Sequence, residues 1–127
     1  MDNDRSSLIT LGGEQYRLIL TTKATKEIAK RYGGLENLGT KLMKSENFEM
    51  ALDEIVWLIT LLANQGILIN NRMSQEKKPL LTEEDVELLT SPLELASYKD
   101  ALTEAMLKGI KRYIESEETE PKNVQVG

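Results

Sequence analysis

The chain has 127 residues, of which 40% are hydrophobic and 29% are charged, a balance typical of one globular domain rather than of a disordered chain. It contains no cysteine and no histidine, which excludes disulfides, thiol chemistry, zinc sites built from those residues and histidine-based catalysis. The net charge of −5 argues against a general nucleic-acid binder, and no apolar run is expected to reach the roughly 20 residues of a membrane span.

A β-hairpin is predicted at about residues 7–20. Apolar residues lead into Gly12–Gly13, and two glycines between β-like runs suit a tight turn whose central positions need a positive φ. After the turn, alternation places Tyr16, Leu18 and Leu20 on one face of the strand. Because an isolated hairpin is marginal in water, this one must pack on the following helices or pair with another chain.

The rest of the chain predicts four to five helices, separated by glycine or by polar segments. Thr21 or Thr22 caps the first helix, and Gly33–Gly34 ends it. Thr82 and Ser91 each begin a capping box, the second with proline at the first helical position. The predicted helices are residues 22–32, 35–44, 47–72, 83–90 and 92–114.

The helix at 47–72 has the strongest pattern, because its apolar arc extends nearly all round between Ile55 and Leu62. A helix of this kind is expected at the centre of the fold. The helical period continues past Gly66, and glycine within a helix costs only about 1 kcal/mol relative to alanine. This segment is more apolar than one helix of a small monomer usually requires, so part of it is also predicted to contact a partner.

Together these patterns predict an α+β fold: a short N-terminal β-hairpin, a mainly α-helical body and a disordered acidic C-terminal tail. Residues 1–114 form a single domain in this prediction. Residues 115–127 form the flexible tail, because four glutamates precede Pro121 and little there can be buried. Charge is uneven as well: residues 14–44 hold seven basic and three acidic residues, so the C-terminal part is strongly acidic.

No catalytic, cofactor-binding or metal-binding residues are predicted. The acidic pairs, such as Asp53 and Glu54, point apart on a helix, and acids in a first helical turn are explained by the helix dipole. The two glycine pairs lack the spacing of a phosphate-binding loop. Lysines 23, 26 and 30 form a stripe that could meet a nucleic-acid backbone, but no aromatic residues accompany it, and a solvated helix face is the favoured interpretation.

The layout as a whole resembles the tail assembly chaperones of long-tailed bacteriophages and prophages, in the group from Gram-positive hosts. The resemblance covers most of residues 8–113 and is one of structural pattern, without a catalytic signature. The stretches that carry it are residues 11–18 (LGGEQYRL), 21–28 (TTKATKEI), 55–67 (IVWLITLLANQGI) and 80–89 (LLTEEDVELL).

The resemblance implies a non-catalytic α+β protein of the host cell cytoplasm that is absent from the mature virion. Such proteins bind the tape measure protein, keep it soluble and help to recruit tail tube subunits. Many have a longer form made by a ribosomal frameshift, which here would begin in the acidic stretch after Glu115. The implied partners are therefore the tape measure protein and the tail tube protein, with a possible homo-oligomer, and neither nucleic acid nor membrane.

A chaperone of a long helical client needs an apolar stripe or groove on a soluble exterior. The residues predicted to provide it are Trp57, Leu61, Ile67 and Ile69, followed by Tyr16 and Leu18 of the hairpin. Each of them also fits a place in the core. The alternatives are a small helical adaptor or DNA-binding regulator, whose DNA affinity would fall steeply with salt, and a carboxylate-and-metal hydrolase, which a divalent cation would stabilise.

Overall fold

A computed structural model of the chain describes residues 6–34, 36–38 and 48–109, with side chains from Leu52 onward in the last range. It shows an α+β fold with an N-terminal antiparallel hairpin and a mainly helical body, which confirms the predicted class. Predicted residues 110–114 of the last helix and the tail 115–127 lie outside the described residues. In chain order the elements are β1 (Ser6–Leu11), β2 (Glu14–Ile19), α1 (Thr22–Tyr32), α2 (Phe48–Met73), α3 (Glu83–Leu88), α4 (Pro92–Ser97) and α5 (residues 99–109).

The hairpin forms where the glycine pair predicts it. Gly12 and Gly13 have φ values of 58° and 88°, so both use the left-handed region that other residues rarely adopt. Leu11 pairs with Glu14 beside the turn, and Ser6 pairs with Ile19 at the open end. On β2, Leu18 is fully buried and Arg17 on the other face is exposed, as the alternation predicts, but Ile19 on the Arg17 face is fully buried as well.

Helix α1 has the predicted bounds because both of its ends are capped. The Thr21 hydroxyl accepts a hydrogen bond from the Ala24 N–H at 3.0 Å, and Gly33 ends the helix with φ 86°. Ala24 and Ile28 are its buried residues. Of the predicted second helix, 35–44, the structure describes residues 36–38, which are helical.

Helix α2 is the centre of the fold, as predicted. It contacts β2, α1, α3 and α4, and these four elements together cover much of its wide apolar arc. Residues Ile55, Val56, Leu58, Ile59, Leu62 and Ala63 of this helix are all buried. The hairpin, which is too small to be stable alone, therefore obtains its apolar partner within the same chain.

The expectation that no apolar run approaches the length of a membrane span was wrong. Leu52–Met73 has 22 residues and a mean hydropathy of 1.5, so by length and composition it is able to cross a membrane. Polar but uncharged residues such as Thr60, Asn64 and Gln65 interrupt the run without adding charge, which hides its length from a search for an unbroken apolar stretch. A buried helix at the core of a water-soluble domain has the same properties.

Gly66 lies where β2 crosses α2 at close range. A Cβ atom on Gly66 would be 2.9 Å from the carbonyl oxygen of Arg17 and 3.4 Å from the Arg17 Cβ. The helix continues through this glycine, as the sequence predicted. Glycine is required here because the strand backbone occupies the space that any larger residue needs.

Two asparagines of α2 hold segment 78–81 against the helix. The Asn64 side chain donates to the carbonyl of Leu81 at 2.9 Å and accepts from its N–H at 2.8 Å. Asn71 makes the same pair of bonds with the backbone of Lys78, both at 2.9 Å. Segment 78–81 therefore runs antiparallel to the second half of α2, with Leu81 at Asn64 and Lys78 at Asn71.

The two short helices α3 and α4 begin with the predicted capping boxes. Thr82 and Asp85 exchange side-chain to backbone hydrogen bonds, and so do Ser91 and Glu94. Each helix inserts one residue into the core, Val86 from α3 and Leu95 from α4. Helix α3 ends two residues earlier than predicted.

The predicted helix 92–114 is interrupted at Tyr98. Its N–H donates to the carbonyl of Leu95 at 3.1 Å, three residues back rather than four, which forms a turn between α4 and α5. Its hydroxyl donates to the carbonyl of Thr10 on the outer edge of β1, at 2.6 Å. The break therefore serves to join the helical body to the hairpin.

We expect Tyr98→Phe to lower the free energy of unfolding near neutral pH by about 0.5–1.5 kcal/mol, because the Thr10 carbonyl loses its donor. Burial, followed by the nearby Glu94 carboxylate, raises the pKa of Tyr98 above its ordinary value of 10.0. The hydroxyl thus stabilises the fold below about pH 10, and this contribution is lost as the pH rises through the folded-state pKa. When the free energy of unfolding is measured in urea from neutral to alkaline pH, the variant should lose less stability than the wild type. The same loss of stability with pH in both proteins would contradict this role of the hydroxyl.

Candidate partner-binding surface

The six residues predicted to bind a partner occupy different environments. Leu18 is fully buried and Ile67 is 9% exposed, so both belong to the core. The other four, Tyr16, Trp57, Leu61 and Ile69, are half-buried, and the first three pack against the core cluster. The apolar arc of α2 is therefore mostly covered by the chain itself.

Trp57 is covered on one side by residues of α1. Its ring meets that of Tyr32 edge to face, with centroids 5.9 Å apart. The guanidinium carbon of Arg31 lies 4.4 Å from the centroid of the Trp57 ring, and Arg31 Nε is 3.6 Å from Glu54 Oε1. A cation over a tryptophan face is a favourable contact, so this aromatic residue already has a partner within the chain.

A groove of about 780 Å³ lies between β2, the second half of α2 and segment 78–81. Two of the predicted residues, Tyr16 and Ile67, line this groove together with Leu80 of segment 78–81. The Tyr16 hydroxyl donates to Glu14 at 2.9 Å, and burial together with this carboxylate raises the pKa of Tyr16. The sequence did not indicate that segment 78–81 would form one side of the groove.

Three exposed leucines lie close together in sequence at a different place, the connection between α3 and α4. Leu88 is 75% exposed, Leu93 is 82% exposed and Leu89 is 43% exposed. Three carboxylates near these leucines in sequence, those of Glu84, Glu87 and Glu94, are exposed as well. We call these six residues the α3–α4 surface.

Sequence reasoning missed the α3–α4 surface although a signal was present. The Thr82 capping box predicted a short helix at 83–90, but no partner role was assigned to its leucines. Because α3 and α4 have only six residues each, one inward position per helix is enough to anchor them. Leu88 and Leu93 then face solvent, whereas Leu89 lies partly against Gly12 of the hairpin turn.

The acidic residues and the lysine stripe considered in the sequence analysis do not come together as a site in the described part of the chain. Among residues 6–34, 36–38 and 48–109, no group of three or more acidic residues is arranged to hold a metal ion. Asp53 is exposed, whereas Glu54 is buried beside Arg31, so this pair diverges as the helical spacing implies. Lysines 23, 26 and 30 are exposed on α1.

We also compared the chain with protein-family models, curated proteins and solved structures. None of the three comparisons gave a significant match.

Proposed function

We propose that the protein is a phage tail assembly chaperone. In this role it binds the tape measure protein through an apolar surface, keeps it soluble and helps to recruit tail tube subunits, without catalysis. The α3–α4 surface carries the proposal, because a small acidic domain here presents three leucines to solvent. Exposed apolar surface of this kind, rimmed by polar residues, marks sites of interaction.

The layout supports the same proposal. The resemblance to this family rests on the order hairpin, basic helix, Gly–Gly break, long apolar helix and late acidic tail, and the described residues contain the first four of these in that order. The core of the fold is complete without Leu88 and Leu93, so these residues are available to a client. The net charge of −5 helps the chaperone to stay soluble while it offers them.

Co-expression with the tape measure protein encoded in the same genome tests this function. We expect the wild-type chain to increase the soluble fraction of that protein severalfold. The double variant Leu88→Ser/Leu93→Ser should lose most of the effect, because it removes the apolar contact without touching the core. Leu107→Ser, a substitution of another exposed leucine on α5, is the matched control and should behave as wild type. A client that is no more soluble with the wild-type chain than without it would contradict the proposal.

A further inference from the structure

The charge around the exposed leucines indicates what kind of partner they bind. Between residues 79 and 98 the chain has five acidic residues and no lysine or arginine. The ion pairs among the described residues, Arg31 with Glu54 and Lys108 with Glu104, involve none of these five. The α3–α4 surface thus combines apolar contact with uncompensated negative charge, and its complement is apolar and basic.

Backbone N–H groups at this surface already have hydrogen-bond acceptors within the chain. The capping boxes of Thr82 with Asp85 and of Ser91 with Glu94 occupy donors at the starts of α3 and α4. At the end of α3, the Leu89 N–H donates to the carbonyl of Asp85. A partner therefore finds no strand edge to extend, and it must satisfy its own backbone groups, as an α-helix does.

Two occupants from the chain itself have the wrong chemistry. The C-terminal segment 115–120 carries four glutamates, which have the same sign as the α3–α4 surface. The basic face of α1 in a second copy has the right sign, but beside Lys23, Lys26 and Lys30 its only exposed apolar residue is the small Ala29. The C-terminal segment would leave the glutamates without cations, and α1 would leave most of the leucine surface without an apolar partner.

We infer that the α3–α4 surface binds an amphipathic α-helix whose apolar stripe is flanked by lysine or arginine. The apolar stripe covers Leu88, Leu89 and Leu93, and the cations meet Glu84, Glu87 and Glu94. This inference rests on the proposed function, since it names the chemistry of the client segment that the same surface receives.

Binding of two fluorescein-labelled helical peptides to the 127-residue chain tests the inference. Both have leucine at alternating three- and four-residue spacing; one has lysine beside the leucines and the other has glutamate at the same positions. By fluorescence anisotropy we expect the lysine peptide to bind at least about tenfold more tightly in low salt, and this advantage should shrink as salt is added.

Matched variants separate the apolar part from the charged part. Leu88→Ser/Leu93→Ser should weaken binding of the lysine peptide at least about tenfold, and Leu107→Ser should leave it unchanged. Glu84→Gln/Glu87→Gln, which spares both capping boxes, should weaken it severalfold and reduce its salt dependence. Glu76→Gln, in the exposed loop after α2, is the control for charge and should have no effect.

The outcomes distinguish the inference from the proposed function. Equal affinity for both peptides, or no binding of either while co-expression still solubilises the client, overturns the inference and leaves the function standing. Tight binding of the lysine peptide without any effect on the client supports the inference alone. Sedimentation equilibrium provides a further test: a dimer that dissociates in the Leu88→Ser/Leu93→Ser variant would show that a second copy covers the surface, and would overturn the inference.

Discussion

Replacing Gly66 by alanine is expected to lower the free energy of unfolding by about 1–3 kcal/mol, although alanine is the better helix former. The new methyl group would lie 2.9 Å from the carbonyl oxygen of Arg17, a backbone atom that moves only if β2 moves. Helix propensity alone predicts the opposite, a gain of about 1 kcal/mol. The sign of the change therefore decides whether β2 approaches α2 as closely as the structure shows.

Urea unfolding followed by circular dichroism measures this change, with Asn70→Ala as the control. Asn70 is on the same helix but exposed, so its replacement should be neutral or slightly stabilising. We also expect Gly66→Ala to disturb the hairpin first, which would appear as faster hydrogen exchange at β1 and β2 amides. Equal stability gains at both positions would contradict the close crossing.

Replacing Asn64 by alanine is expected to destabilise the protein by about 1–3 kcal/mol, because it removes both hydrogen bonds to the backbone of Leu81. The site is partly buried, and water therefore replaces the lost partner poorly. Asn71→Ala removes the same two kinds of bond at Lys78, but at an exposed site. We expect that variant to lose less than about 1 kcal/mol.

The comparison of the two asparagines isolates the effect of burial, since their hydrogen-bond geometry is nearly the same. Chemical denaturation gives the two stabilities, and the exchange rate of the Leu81 amide reports the release of segment 78–81. If the two variants lose equal stability, the hydrogen bonds of Asn64 to Leu81 stabilise the fold no more than the exposed bonds of Asn71 to Lys78.

Local signals in the sequence predicted the elements well. Gly12–Gly13 and Gly33 require positive φ, and Thr21, Thr82 and Ser91 have side chains that cap a helix, so each acts through neighbours within a few residues. The structure confirms all of these positions. The central place of α2 also followed from its own apolar arc.

Contacts between distant parts of the chain were not predictable in the same way. The hydrogen bonds from Asn64 to Leu81 and from Tyr98 to Thr10 join residues far apart in sequence. The residues around each partner contain no motif from which the other partner could be predicted. Trp57 and Leu61 were expected on a partner surface because the arc of α2 is wide. Four neighbouring elements use that arc, and the exposed apolar residues are found instead on helices too short to bury their leucines.

The position of Trp57 has a practical consequence for spectroscopy. It is the only tryptophan in the sequence, and its ring contacts are made to Arg31 and Tyr32 of α1. Emission excited selectively from this indole therefore reports whether α1 stays docked on α2. The signal is intrinsic to the chain, so unfolding can be followed without a dye, and a peptide that lacks tryptophan can be titrated without adding background.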